Sequence, residues 1–389
     1  MTWFLPLLAA FNLLGALVTA VFLEIGRRVC VRMETIEPEA CEREGREPWP
    51  TVSLIVPAKD EARSIEAAVR SLLTLDYPRL EITVVNDRST DATGEILDRL
   101  ASENPALNIV HLTDLPAGWL GKNHALQLGA DRSHGEWFLF TDADVIYEPS
   151  ALRRAMHYAR EHELDHLTCF PHLAVRPWLL QVFCVAFGML LSLHQRLWKI
   201  RDPKSPAHIG IGAFNLLRAE VYRHIDGHRP IALRPDDDLK LGKLVKLRGF
   251  RQDMLAADRF IVVEWYHSVG ELIHGLEKNM FAGTEYRVTV IAAATLALVA
   301  FHLLPFAAPF FVGGVARWLY VATAVVWLVA AVRMAGSLRQ PWSAGLGYPV
   351  GIAAFIFIML RTTTLNLWQG GLRWRGTFYS LRELKQNRL

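Results

Sequence analysis

Charge is missing from long stretches at both ends of this chain. Residues 2–23 hold no charged side chain, nor do 288–316 apart from His302, nor 340–360, and 318–332 is an apolar run pinned between Arg317 and Arg333. A helix over 2–23 reaches ~30 Å, the thickness of a bilayer core. Val18-Thr19-Ala20 has the small residues of a signal-peptide cleavage site, but no basic segment precedes the run, which also exceeds the usual secretory length. Residues 1–23 are therefore expected to be a transmembrane anchor. Between the apolar ends lie ~240 residues of ordinary composition, enough for a full core. The 52% hydrophobic and 21% charged residues thus separate into a globular domain and membrane-embedded ends. Collagen-like, disordered and purely soluble architectures are excluded.

The formal net charge of +3 gives no reason to expect a nucleic-acid partner. Basic residues nevertheless cluster beside the apolar runs. Arg27, Arg28 and Arg32 follow the first, and Arg361, Arg373, Arg375, Arg382, Lys385 and Arg388 lie at and beyond the last. Juxtamembrane positive charge marks the cytoplasmic side. It predicts a multi-pass protein of the inner (cytoplasmic) membrane, with the globular domain and the basic tail, 362–389, in the cytoplasm. Three crossings after the domain would put that tail outside. Either 288–316 forms a hairpin or one apolar stretch does not cross. Cys30, Cys41, Cys169 and Cys184 show no CxxC and no metal-site spacing, and Cys184 falls in an apolar run that reads as core.

Residues 24–50, rich in Glu and Arg and closed by Pro48-Trp49-Pro50, read as a linker into a domain over 51–287. That domain alternates strands and helices. Strands are expected at 52–56, 82–85, 108–112 and 137–141. Helices are expected at 65–75, at 91–100 with Ser89-Thr90 as caps, and at 124–130. Strands separated by helical periods predict an α/β fold with a mostly parallel, Rossmann-like sheet, whose ligands bind at the carboxyl ends of the strands. Each expected strand end delivers polar groups: Pro57-Ala58-Lys59-Asp60-Glu61, Asn86-Asp87-Arg88-Ser89-Thr90-Asp91, Gly118-Trp119-Leu120-Gly121-Lys122-Asn123, and Asp142-Ala143-Asp144. One aspartate at a strand end is usually a helix cap. Successive deliveries to one sheet edge make a site.

Asp142 and Asp144, one residue apart on a turn, suit a hard divalent cation such as Mg2+ or Mn2+ that leaves positions open for phosphate oxygens. Lys122, entering a helix from a glycine-flanked loop, is placed to meet a phosphate as a point charge. Further on, Asp236-Asp237-Asp238 precede a helix marked by Leu239, Leu241 and Leu244. Such a cluster can merely cap that helix. Three adjacent carboxylates also repel, which raises the proton affinity of one and suits it to be a general base. Asp238, the last before the apolar turn, is the expected base.

These motifs, in this order and spacing, resemble family 2 glycosyltransferases of the GT-A fold. The likeness runs over roughly residues 50–285, through VSLIVPAKDEA, VVNDRSTD, GKNHAL, TDADV, GAFNLLRAEV and DDDLKLGKLVKLRGF. The GWLGK loop and the apolar ends are most similar to the branch that glycosylates hopanoid, carotenoid or ceramide-type lipids. The resemblance implies a nucleotide-sugar donor, taken as a UDP-sugar, bound by Pro57, Glu61 and Asp87, with Lys122 at the diphosphate and Asp142 near the ribose. It places Asp144, with Asp142, on the metal and Asp238 as the base. Gly210, Gly212, Phe214 and Asp237 fall where the family receives its acceptor, here a lipid. Two positions depart from the pattern. Asn86 replaces the first acid of the usual DDxS pair. Leu276-Glu277-Lys278-Asn279-Met280 stands where QxxRW, prominent in processive synthases, would fall.

The expectation is an inverting, metal-dependent, non-processive transfer of a single sugar to a lipid hydroxyl. The alternatives are transfer to polyprenyl phosphate, a haloacid dehalogenase-like phosphohydrolase using Asp142, and a non-catalytic membrane scaffold. A further uncharged run, 177–195, has the hydropathy of a span. Crossing there would put Asp144 and Asp238 on opposite faces of the membrane, so 177–198 is expected to be an interfacial helix. The membrane cluster proper is expected at 288–361.

Overall fold

The computed structural model describes residues 4–37 and 48–387. Cys41, Arg388 and part of the expected linker lie outside them. By internal contacts the chain forms two compact units. One comprises 30–174, 199–264 and the stretch from Gln386. The other gathers 1–29, 175–198 and 265–385. The contact boundary therefore falls at 264/265 rather than at 287.

The first unit is built on an eight-stranded sheet and a smaller three-stranded one. In chain order its strands are β1 (Val31–Arg32), β2 (Val52–Ala58), β3 (Leu80–Asp87), β4 (Leu107–Leu112), β5 (Trp137–Phe140), β6 (Val145–Tyr147), β7 (His166–Phe170), β8 (His172–Leu173), β9 (Asn215–Arg218), β10 (Gln252–Ala256) and β11 (Ile261–Val263). The large sheet runs β1-β10-β7-β9-β5-β2-β3-β4. Only β9 is antiparallel to its neighbours β5 and β7, as expected of a mostly parallel sheet. Val52, Leu54, Ile55 and Val56 are all buried, the continuous apolar run of a strand covered on both faces. Helices Ile65–Leu73, Thr93–Glu103 and Gly121–Asp131 connect these strands. The sheet-facing side of Gly121–Asp131 joins Ile55, Phe138, Phe140 and Leu217 in one core through Leu126 and Ala130.

Two helix starts differ from expectation. The helix expected at 91 begins at Thr93, because the Asp91 carboxylate accepts the Thr93 N–H (3.0 Å) and hydroxyl, while Thr90 instead bonds Asp60. The helix expected at 124 begins at Gly121, so Lys122 lies in its first turn.

Among the described residues five helices are long and apolar enough to cross a membrane: Phe4–Val29, Trp178–Lys199, Val288–Phe310, Gly314–Ser337 and Tyr348–Gln369. The 288–310 run is one kinked helical stretch, not a hairpin. A π-turn at Val299–Leu303 precedes Pro305 and Pro309. Pro305, which has no N–H to give, leaves the Phe301 carbonyl to accept the Trp327 indole N–H (2.9 Å). His302 Nδ1 meets the Tyr348 hydroxyl at 2.7 Å, and the rings of Trp327 and Tyr348 stack at 5.8 Å. At one end of the bundle Arg333 reaches Glu24 (2.9 Å).

Candidate active site

The carboxyl ends of β2, β3 and β5 lie side by side, since β2 pairs with both others. Their continuations therefore share one edge, and the chain leaves two of the strands under strain. Asp60 and Arg88 adopt left-handed φ of 52° and 54°. Asp60 is held there by its carboxylate, which accepts the Thr90 N–H (2.7 Å). Arg88 folds back onto Asp87, Nε to Oδ1 at 2.7 Å. Asp87 is buried and Glu61 half-buried. Pro57, half-buried near the end of β2, pairs in register with Val85.

Across this edge the structure joins residues distant in sequence. Lys122 Nζ lies 2.8 Å from Asp142 Oδ1 and 3.3 Å from Asp237 Oδ2. Burial alone would release the lysine's proton, but the carboxylates of Asp142, Asp237 and Asp238 outweigh it and raise its pKa. It stays a cation. Asp238 has both oxygens engaged: Oδ2 accepts the Gly212 N–H (2.8 Å) and Oδ1 the Leu239 N–H (2.7 Å). Burial and the nearby Asp142 nevertheless raise its proton affinity against the pull of Lys122.

The glycines permit this closeness. A Cβ on Gly212 would sit 2.4 Å from Asp142 Oδ2, and one on Gly210 would sit 1.9 Å from the Asp238 carbonyl oxygen. The Asp142 N–H also donates to the Gly212 carbonyl (3.0 Å). Lys122, Asp142, Gly212, Asp237, Asp238 and His228 border one small recess. Phe214 stands apart from that opening, fully buried with its ring tilted on Tyr147 at 6.2 Å. It packs the core beneath the site.

Asp144 is pushed up to about 7 by burial, then by Asp142 and Glu61. Burial leads that rise and the two neighbouring carboxylates add to it, and two oxygen donors one residue apart are hard-cation chemistry. The residues fit a divalent ion that takes its remaining ligands from phosphate and water. Among the described residues no group of three or more His, Cys, Asp or Glu forms a closed metal cage.

Several supporting residues were not singled out from sequence. Asp236 belongs to a different arrangement from its two neighbours: the fully buried Arg234 holds it with two bonds of 2.9 Å. Asn123, inside the GKNHAL segment, sends its side-chain amide to the carbonyls of Ile231, Ala232 and Arg234. Behind Gly210, Gln252 accepts the Ile209 N–H (2.9 Å) and donates to the Gly242 carbonyl (3.1 Å) and to His166 Nδ1 (2.6 Å). His166 then donates from Nε2 to Asn215. Burial, lowering this histidine to about 4, keeps it in the neutral form that chain requires. The signal for such residues in sequence is only a polar side chain inside an apolar period. The segment at the expected QxxRW position is engaged in the other unit, where Glu277 pairs with Arg361 and Lys278 lies 4.5 Å over the Trp374 ring.

Residues 53–225 match the sequence profile of Glycosyl transferase family 2. Among curated proteins, a probable glycosyltransferase of Bacillus subtilis is 36% identical over 28% of this chain and 26% of its own length. The beta-monoglucosyldiacylglycerol synthase of Synechocystis sp. is 34% identical over 38% of this chain and 30% of its own. The 4,4'-diaponeurosporenoate glycosyltransferase of Staphylococcus haemolyticus is 24% identical over 56% of each. The chain thus spans between about a quarter and just over half the length of these relatives. A solved mannosyltransferase from Pyrobaculum calidifontis, in complex with GDP-Man and Mn2+, aligns over 94% of this chain and 99% of its own with a TM-score of 0.53 and 20% identity. That likeness bears on the fold. The family match removes the phosphohydrolase reading of Asp142. Residues 53–225 thus form a glycosyl transferase family 2 domain, with the GT-A fold.

Proposed function

We propose that the protein is a membrane-bound inverting glycosyltransferase that moves one sugar from a UDP-sugar to the hydroxyl of a lipid. The observation that carries this reading is the meeting of Lys122 with Asp142 and Asp237 beside Asp238, at the carboxyl edge of a family 2 sheet. Lys122, kept cationic, faces the diphosphate in place of its present carboxylate partners. Asp238, oriented by two N–H groups and raised in proton affinity, takes the proton of the acceptor hydroxyl. The acceptor oxygen bonds the anomeric carbon as the bond to the diphosphate breaks, so the configuration inverts. Asp87, Glu61 and Pro57 line the nucleotide end, and Gly210 and Gly212 form the wall on the acceptor side. Asp144 and Asp142 would hold Mg2+ or Mn2+, which when bound neutralises charge on the departing nucleoside diphosphate. Two relatives are named for glycosylation of lipid-like acceptors, which supports a lipid here. The lack of QxxRW supports a single transfer.

Chain connectivity supports a topology. Residues before and after Trp178–Lys199 belong to one compact unit. A folded body lies on one side of a bilayer, so this helix by itself does not cross. The chain leaves the same unit after 264 and re-enters it at 386, so an even number of crossings lies between. Three helices there are long enough, and Tyr348–Gln369 is the one that does not cross. Its first residue packs on Trp327, midway along Gly314–Ser337, so it starts inside the bundle rather than at its rim. The basic tail then shares the catalytic unit's side, the cytoplasmic one by its charge.

The test is to incubate the purified full chain with Mn2+, labelled UDP-hexoses and candidate lipid acceptors, and to read the anomeric configuration of the product by NMR. An inverted monoglycosyl lipid is expected. A retained configuration or a polymeric product refutes the proposal.

A further inference from the structure

The loop 228–236 delivers Asp237 and Asp238 to the site, and its inner side is fastened to one face of the Gly121–Asp131 helix and the residue before it. The Leu120 N–H donates to the Ala232 carbonyl (2.8 Å), Asn123 Nδ2 reaches Ile231 (2.8 Å), Ala232 (3.2 Å) and Arg234 (2.9 Å), and Gln127 Oε1 accepts the His228 N–H (2.8 Å). Positions 120, 123 and 127 recur at helical spacing, and Lys122 stands between them. The helix that carries Lys122 is thus bonded to the segment that leads into Asp237.

On another side the loop is held by Asn387. Its Oδ1 accepts the Leu233 N–H at 3.0 Å and its Nδ2 donates to the Pro230 carbonyl at 3.0 Å, from 154 and 157 residues further along the chain. Donor and acceptor of one primary amide are both matched to a single short turn, a two-point clamp. Residue 387 counts among the catalytic unit's own residues by its contacts.

We propose that Asn387 is a positioning residue for the transfer reaction. It clamps residues 230 and 233 so that Asp237 stays within ion-pair reach of Lys122 and Asp238 is presented to the acceptor. The role in transfer rests on the glycosyltransferase reading above, whereas the clamp itself does not. Two hydrogen bonds at one turn shift the local opening of that turn by about tenfold.

The test compares full-length Asn387→Ala and Asn387→Asp with the parent in lipid nanodiscs. Amide hydrogen exchange is followed over 118–124 and 228–238, together with kcat and donor KM. In Asn387→Ala, exchange should rise in both segments and nowhere else in the catalytic unit. The kcat should fall about three- to tenfold with donor KM within twofold. Asn387→Asp, which keeps the acceptor for Leu233 and loses the donor to Pro230, should fall between. Parental exchange in Asn387→Ala overturns the clamp, and raised exchange with parental kcat overturns the positioning role. A parent that turns over no UDP-sugar refutes the transferase reading instead, and exchange in the two segments then decides the clamp alone.

Discussion

Asp238→Asn is the substitution that tests the chemistry most directly. It is nearly isosteric, so the recess keeps its shape, but it removes the group that accepts the proton. Loss of a positioned general base costs ~10²–10⁴ in rate, or about 2.7–5.5 kcal/mol at 1.36 kcal/mol per decade. The structure adds a second, separable cost. Both carboxylate oxygens accept backbone N–H groups, from Gly212 at 2.8 Å and Leu239 at 2.7 Å. An asparagine can accept only one of them and must turn its NH2 toward the other, at ~1–3 kcal/mol. Thermal denaturation reads that structural cost, and calorimetry with UDP and Mn2+ reads whether the donor still binds. The expected result is transfer to a lipid hydroxyl reduced at least a hundredfold under saturating donor, with UDP affinity within about threefold of the parent. Transfer above a tenth of the parental rate, donor bound, would refute the assignment of Asp238 as base. Full activity toward a polyprenyl phosphate, already an anion, would move the acceptor to that class, since such an oxygen needs no base.

Other perturbations follow from the same geometry. With the Asp144 carboxyl raised to about 7, a proton and a cation compete for it. Mn2+-supported donor binding should strengthen as pH rises through about 7 and weaken below it. Asp144→Ala should abolish the metal dependence, and donor binding that still responds to Mn2+ would take Asp144 out of the metal site. Replacing the fully buried Arg234 by Met leaves Asp236 charged and unpaired by its guanidinium. Stability should fall by ~3–5 kcal/mol in chemical denaturation, and an unchanged midpoint would show that Asp236 finds water or Lys240 sufficient. For the topology, Phe311→Cys and Arg375→Cys, made on a background lacking native cysteines, should label with an impermeant thiol reagent from opposite faces of sealed vesicles. Labelling from one face would refute the single crossing placed between them.

Much of this protein was legible before any coordinates. The apolar runs at 52–56, 82–85 and 137–141, and the polar groups after them, depend on local period and on where a parallel sheet exposes its strand ends. The uncharged stretches state their own length and apolarity. Local pattern does not assign partners to adjacent carboxylates, however. Position before the apolar turn singled out Asp238, but only packing gives Asp236 to Arg234, Asp237 to Lys122 and Asp238 to the amides of Gly212 and Leu239. Phe214 looked like an acceptor-pocket residue by motif position, yet its side chain turns into the core. The same limit applies to hydropathy. Trp178–Lys199 and Tyr348–Gln369 qualify as spans by composition, but the number of crossings depends on which segments return to one folded body. Sequence alone determined the periodic, short-range features: elements, the edge that bears the site, and the apolar ends. Tertiary structure decided what rests on contacts between residues far apart in the chain: the partner of each charge and the hydrogen bonds that Asn387 makes to residues 230 and 233. No local period encodes those, because each is set by the closure of a loop rather than by the residues beside it.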